Sequence, residues 1–319
     1  MTKAPFFSKE YTTTLKGLCA LVVVMVHIPE AWSTPLQDGI GSFAFVAVTL
    51  FFLFSSFGLH TRHRQDARYL DRFWPNRLAS LLVPVFLVNF CRLAFNGFVH
   101  GQWSLLQLLR PDSYVCILLC YCLLFYLFTR FFPASRYGTL HAAAQIILVV
   151  LASLLLYFLS PDRNYSALMG WCYEQWGLVW GILLFCFFHR FLAWTDTGWF
   201  AKLTASFVIS LAAGLLYLRY KEVWFGGQYV LKILLGLSLI VFLFLLTRRG
   251  IPHNSITGFL GSISYGIYLS HGLVISALMN FAPQSDSWTF IGLTILLTVV
   301  LSLIINKVSQ PVIRKIRSL

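Results

Sequence analysis

Ile233-Leu-Leu-Gly-Leu-Ser-Leu-Ile-Val-Phe-Leu-Phe-Leu-Leu246 runs without a single charge or proline. It lies in an apolar stretch near 228–247 that has the length, about 20 residues, a helix needs to cross a hydrocarbon core of about 30 Å. In that solvent no water satisfies the backbone, so a spanning segment must satisfy its own N–H and C=O groups as a helix. Working outward, nine further stretches read the same way, near 12–32, 40–60, 78–98, 114–132, 140–160, 168–189, 199–218, 257–281 and 288–308. The expected fold is therefore all-α: one polytopic transmembrane bundle of about ten spans, filling residues 1–319 as a single domain with no long linker and no separate soluble catalytic part.

Composition agrees with the lipid bilayer as partner. The chain is 58% hydrophobic and 11% charged, against roughly 45–50% and about 25% in soluble domains. Thirty Phe, fourteen Tyr and ten Trp suit lipid-facing and interfacial surface.

A net charge of +13 raises nucleic-acid binding as a first reading. The basic residues, however, fall in short runs between apolar spans and form no single polar face, so no nucleic acid is expected. Their placement follows topology instead. With an even number of spans and the N-terminus in the cytoplasm, cytoplasmic segments and adjoining span ends hold eighteen Lys and Arg. The outer segments hold four, Arg110, Arg163, Arg219 and Lys221. That asymmetry orients both termini inside. Arg92 and Lys232 lie within spans near their outer ends and read as snorkelling side chains. Lys3, Lys9 and Lys16 precede the first apolar run as they would a signal anchor rather than a cleaved leader.

Seven cysteines, an odd number, all sit in apolar stretches, so no disulfide framework follows. Cys116, Cys120 and Cys122 lack His or acidic companions at a zinc spacing, and no metal is expected.

Ionisable groups inside spans are expensive and face a bundle interior or a wet cavity. His27 is the first of these: either a catalytic base or a packed, satisfied imidazole. Lys16 precedes it by eleven residues, close to a whole number of turns, so the two share a helical face about 16 Å apart along the axis. Lys16 is then either a group at the cytoplasmic mouth or an interfacial anchor. The segment from His60 to Arg77, expected to be a loop, carries Arg62, Arg64, Arg68, Arg72 and Arg77. It serves topology, and Arg77 beside the third span also suits phosphate recognition. Ser264, Tyr268 and His271 recur at steps of four and three residues, which places them on one face, at a depth similar to that of His27. They are either site residues or interhelical hydrogen-bonding groups. Glu174, about one turn into the sixth span, either orients an acceptor hydroxyl or is an interfacial carboxylate.

At these residues the chain resembles acyltransferase family 3 of bacterial membrane proteins over nearly its whole length. Tyr11-Thr-Thr-Thr-Leu-Lys16-Gly17 through His27 resembles that family's first-helix signature, a basic residue before Gly with His eleven positions on. Val48-Thr-Leu-Phe-Phe-Leu-Phe-Ser55-Ser56-Phe57 resembles its second-helix segment, and Phe73 through Arg77 to Pro84 its basic approach to the third. Gly261-Ser-Ile-Ser264-Tyr265-Gly-Ile-Tyr268-Leu-Ser-His271 is similar to its Ser-Tyr-x-Ile-Tyr-Leu-x-His segment, and Gln310-Pro311-Val-Ile-Arg314 to its closing Pro-x-x-Arg. The chain departs from the pattern at Thr13, Lys16, Ser80 and Ser309, where the family often has Asp, Arg, Arg and Glu.

The resemblance implies a multi-pass enzyme of the bacterial plasma membrane. It implies acyl-CoA as a cytoplasmic donor substrate, with acetyl the usual group, a carbohydrate hydroxyl of the cell envelope as acceptor, and no bound cofactor. His27 would act as general base, which a near-neutral imidazole suits. Lys16 and Arg77 would hold the donor's phosphates, and Tyr268 or His271 the acceptor or the oxyanion. Two other classes compete: a transporter of glycans or lipid-linked sugars, and an inactive relative serving as assembly partner. A transporter should show repeat symmetry and several broken spans. Only Pro84 breaks a span well inside it, and no repeat is evident.

Overall fold

The computed structural model describes residues 2–28, 41–66, 68–159, 167–282 and 287–318. Among the described residues ten long helices follow the ten apolar stretches: α1 (Lys9–Val26), α2 (Phe45–Gln65), α3 (Phe73–His100), α4 (Ser113–Phe131), α5 (Thr139–Leu159), α6 (Trp176–Asp196), α7 (Trp199–Tyr220), α8 (Lys232–Leu246), α9 (Ser255–Phe281) and α10 (Ser287–Ser318). A short helix, Ala167–Glu174, leads into α6, and a π-helical turn, Gly226–Leu231, leads into α8. Among the described residues nine helices, α2 to α10, are long and apolar enough to cross a membrane. The first falls short because Lys9, Glu10 and Lys16 occupy its opening turns. The protein is thus a polytopic helical bundle, as expected, with one fewer helix meeting the spanning criterion.

Three boundaries differ from the sequence reading. The first helix stops at Val26, so His27 lies in the turn that follows and not deep inside a helix. The remainder of the stretch near 12–32, with Pro29, lies outside the described residues. The stretch from His60 to Arg77 is not one loop. It comprises the last turns of α2 and the first of α3, because a helix need not end where the hydrocarbon does. The last helix runs through Pro311 to Ser318, ten residues past its expected end. It continues because its basic tail finds partners: Arg317 donates to Ser80 Oγ at 2.6 Å, and Arg72 donates to the Arg317 carbonyl at 3.1 Å.

The chain resolves into two compact units with alternating segments. The first comprises 1–12, 42–67 and 120–254, and the second 13–41, 68–119 and 255–319. In the first unit α2 and α6 meet at Gly177 and Gly181. A Cβ on Gly177 would stand 2.0 Å from the Thr49 carbonyl oxygen, and one on Gly181 would stand 1.9 Å from Ser56 Oγ. Small residues four apart let two backbones approach this closely, and Ser56 then donates across to the Leu178 carbonyl at 3.0 Å. A two-stranded antiparallel sheet, β1 (Thr2–Ala4) with β2 (Ile251–His253), closes the same unit.

In the second unit α9 packs on α10, where Ser270 and Ser302 share a hydrogen bond of 3.1 Å. Pro84 lies inside α3, where its ring removes the donor that would bond the Ser80 carbonyl, and one residue further on Tyr265 reaches across from α9 to donate to the Leu81 carbonyl at 2.9 Å.

Candidate active site

The site is built in the second unit by α1 and α9. Glycines bring the two helices together. A Cβ on Gly17 would lie 2.7 Å from the Gly261 nitrogen, and one on Gly261 would lie 2.1 Å from the Thr13 carbonyl oxygen. His27 and His271 each follow ten residues after those glycines, about 15 Å further on at 1.5 Å per residue. Their rings meet there, with centroids 4.8 Å apart. One parallel register therefore accounts for both contacts.

Each imidazole is fixed through the same atom. His27 Nδ1 lies 2.7 Å from the Val23 carbonyl, and His271 Nδ1 lies 2.5 Å from the Tyr268 carbonyl. A carbonyl only accepts, so Nδ1 carries the proton in each neutral ring and Nε2 keeps its lone pair. His27 is exposed and His271 half-buried. The pair presents two acceptor nitrogens, of which at least one is open to a reactant.

Tyr268 is buried and donates its hydroxyl to Asp112 at 3.0 Å. Its ring stacks obliquely on Tyr114 at 4.9 Å and stands 5.9 Å from His271. Its one O–H is therefore engaged with a carboxylate and is not directed at an oxyanion. Ser264, also buried, donates to the Gly261 carbonyl of its own helix at 2.9 Å.

Asp112 is the residue that sequence reading missed. It precedes α4 and accepts from the Tyr114 N–H at 3.0 Å, an N-cap interaction. Buried Asn89 ties down the preceding segment through the Leu108 and Arg110 carbonyls, at 3.5 and 2.8 Å. The available signal was an Asp set just before an apolar run. It announced a cap but not a partner 156 positions away.

Lys16 sits half-buried in α1, about three turns before His27. Arg77, in the first turns of α3, donates to the Tyr69 hydroxyl at 2.6 Å and lies 5.8 Å from the Phe73 ring. Six of the seven candidates, Lys16, His27, Arg77, Ser264, Tyr268 and His271, fall in this unit, and Glu174 falls in the other. Among the described residues no three His, Cys, Asp or Glu side chains gather as a metal site would require.

Paired imidazoles are a group of the kind that can transfer a proton or carry an acyl group. The family model described as an acyltransferase domain, that of acyltransferase family 3, matches residues 10–307 of the 319. The chain belongs to this family and is a multi-pass membrane acyltransferase. No curated protein and no solved structure matches it significantly. Two departures from the family pattern, Ser80 and Ser309, line one cavity of about 170 Å³ in the second unit. The Arg317 guanidinium lines it too and bonds Ser80, so a basic group from the C-terminal helix stands beside the position where an arginine is missing.

Proposed function

We propose that the protein transfers an acyl group, acetyl above all, from cytoplasmic acyl-CoA to a hydroxyl of a cell-envelope carbohydrate, in the plasma membrane of a bacterium with both termini inside. The observation that carries this reading is the His27–His271 contact with both Nδ1 atoms bound to carbonyls. His27 Nε2 removes the proton as the acceptor hydroxyl attacks the thioester carbonyl. The C–S bond then breaks, and the CoA sulfur leaves with the proton returned by the imidazolium. Protonated imidazole is also the group here best able to face developing negative charge, since Tyr268 is committed to Asp112.

Lys16, about 16 Å from His27 along α1, and Arg77 supply positive charge for the donor's phosphates. The pantetheine arm spans the interval to the imidazoles.

The test pairs activity with folding. His27→Ala should lose about 10²–10⁴-fold in transfer, the usual contribution of a general base, while its yield, melting midpoint and CoA binding stay near those of the parent. Transfer retained in a folded variant would move the base to His271. Folding and transfer lost together would make His27 a packing residue.

A further inference from the structure

Lys232, at the head of α8 in the first unit, does not snorkel. Its ammonium lies 3.8 Å from the Tyr173 ring centroid, 4.9 Å from that of Phe45 and 5.8 Å from that of Tyr217. These rings come from the short helix before α6, from α2 and from α7. Cation–π attraction holds the charge in place but uses none of its three N–H donors on an acceptor. Glu174 and a second cation, Lys221, lie within electrostatic range of it. Among the described residues the side chain of neither Lys232 nor Glu174 takes part in a hydrogen bond or a contact ion pair. Two half-buried opposite charges near each other in a span, each with open hydrogen-bonding capacity, are costly to maintain unless something joins them.

An apolar groove starts at the same place. Leu235 packs in one cluster with Phe45 and Tyr217 and also lines the groove. From there the groove continues between α7 and α8 past Phe43, Phe207, Gly214, Leu239 and Phe242, with a volume of about 260 Å³. Leu235 to Phe242 covers roughly 10 Å of helix. Gly214 keeps the space open: a Cβ there would already touch Phe43 at 3.5 Å.

We propose that the first unit binds a lipid-linked sugar phosphate, with its hydrocarbon in this groove, its phosphate on Lys232 and a sugar hydroxyl on Glu174. Charge selects the phosphate, and Lys221 adds to the attraction. The carboxylate is an acceptor for sugar hydroxyls. The groove makes the ligand a lipid and not a soluble sugar phosphate. Naming this lipid as the acyl acceptor rests on the function proposed above, whereas the binding site itself does not.

The test uses the full chain in phosphatidylcholine nanodiscs without any acyl donor. The probe is a polyprenyl-phosphate-linked glucose bearing a photoreactive group in its tail. The parent should crosslink within α7 and α8. Lys232→Met should weaken binding about ten- to a hundredfold, the range for a lost charge-assisted hydrogen bond, and Lys232→Arg should restore most of it. Gly214→Leu should block the tail, while Gly58→Ala, a position with open space around it, should bind as the parent does. Glu174→Gln should weaken the sugar lipid but not plain polyprenyl phosphate. Equal crosslinking of the phosphate-free lipid, undiminished binding by folded Lys232→Met, or competition by free glucose phosphate would overturn the proposal. Binding of the probe by a protein that transfers no acyl group would retire the proposed function and leave this site standing.

Discussion

A single carboxylate does two jobs at the site, and they can be separated. Asp112 caps α4 and anchors the Tyr268 hydroxyl. Asn caps a helix about as well as Asp but brings no charge to Tyr268. Asp112→Asn should therefore melt near the parent temperature and lose roughly tenfold in transfer, if a charge-assisted bond is about 1.4 kcal/mol better than its neutral counterpart. Asp112→Ala should lose the cap as well, about 1 kcal/mol, with a lower midpoint. Equal midpoints and equal rates for both would show that Tyr268 needs no anchor. His27 and His271 were legible in the sequence as polar groups of similar depth, because apolar surroundings make an imidazole conspicuous. Asp112 was not, because its value depends on a contact between distant segments that no local pattern encodes. Lys232 shows the same limit: alone it read as a snorkelling anchor, and only the rings of Tyr173, Phe45 and Tyr217 reveal a confined ammonium.

At the scale of the helix, the spacing from glycine to histidine sets the geometry of the pair. Gly261→Ala would push a methyl into the Thr13 carbonyl and drive α1 from α9. Overpacking of this kind costs about 1–3 kcal/mol, and a 1 Å displacement at a reacting group can cost about 10²-fold in rate. The expected result is a folded protein with severely reduced transfer. Gly272→Ala, next to His271 but with nothing within 4 Å of its new methyl, is the matched control. Similar rates for the two would mean that the α1–α9 contact does not position the imidazoles. Helix existence was readable from apolar length, but helix ends were not. The basic termini of α2, α3 and α10 continue as helix beyond the apolar run, where intrahelical bonds and partners such as Ser80 for Arg317 support them.

For the whole molecule, the proposed orientation is open to a direct check. Reporter fusions at Thr139 and after the C-terminus should read cytoplasmic, and one at Gln102 should read external. The opposite pattern would invert the donor and acceptor sides and with them the roles of Lys16 and Arg77. The two-unit organisation carries a further consequence, for biosynthesis. Gly17 leaves the ribosome 244 residues before Gly261, so at about 5–20 residues per second α1 waits roughly 10–50 s for its partner helix. Throughout that interval its glycine face, Lys16 and His27 have no α9 to pack on. Chains truncated at Asn254 contain every segment of the first unit but lack α9 and α10. Such chains should be cleared by membrane quality control faster than the full chain in a pulse-chase experiment, with the clearance slowed when 255–319 is supplied as a separate fragment.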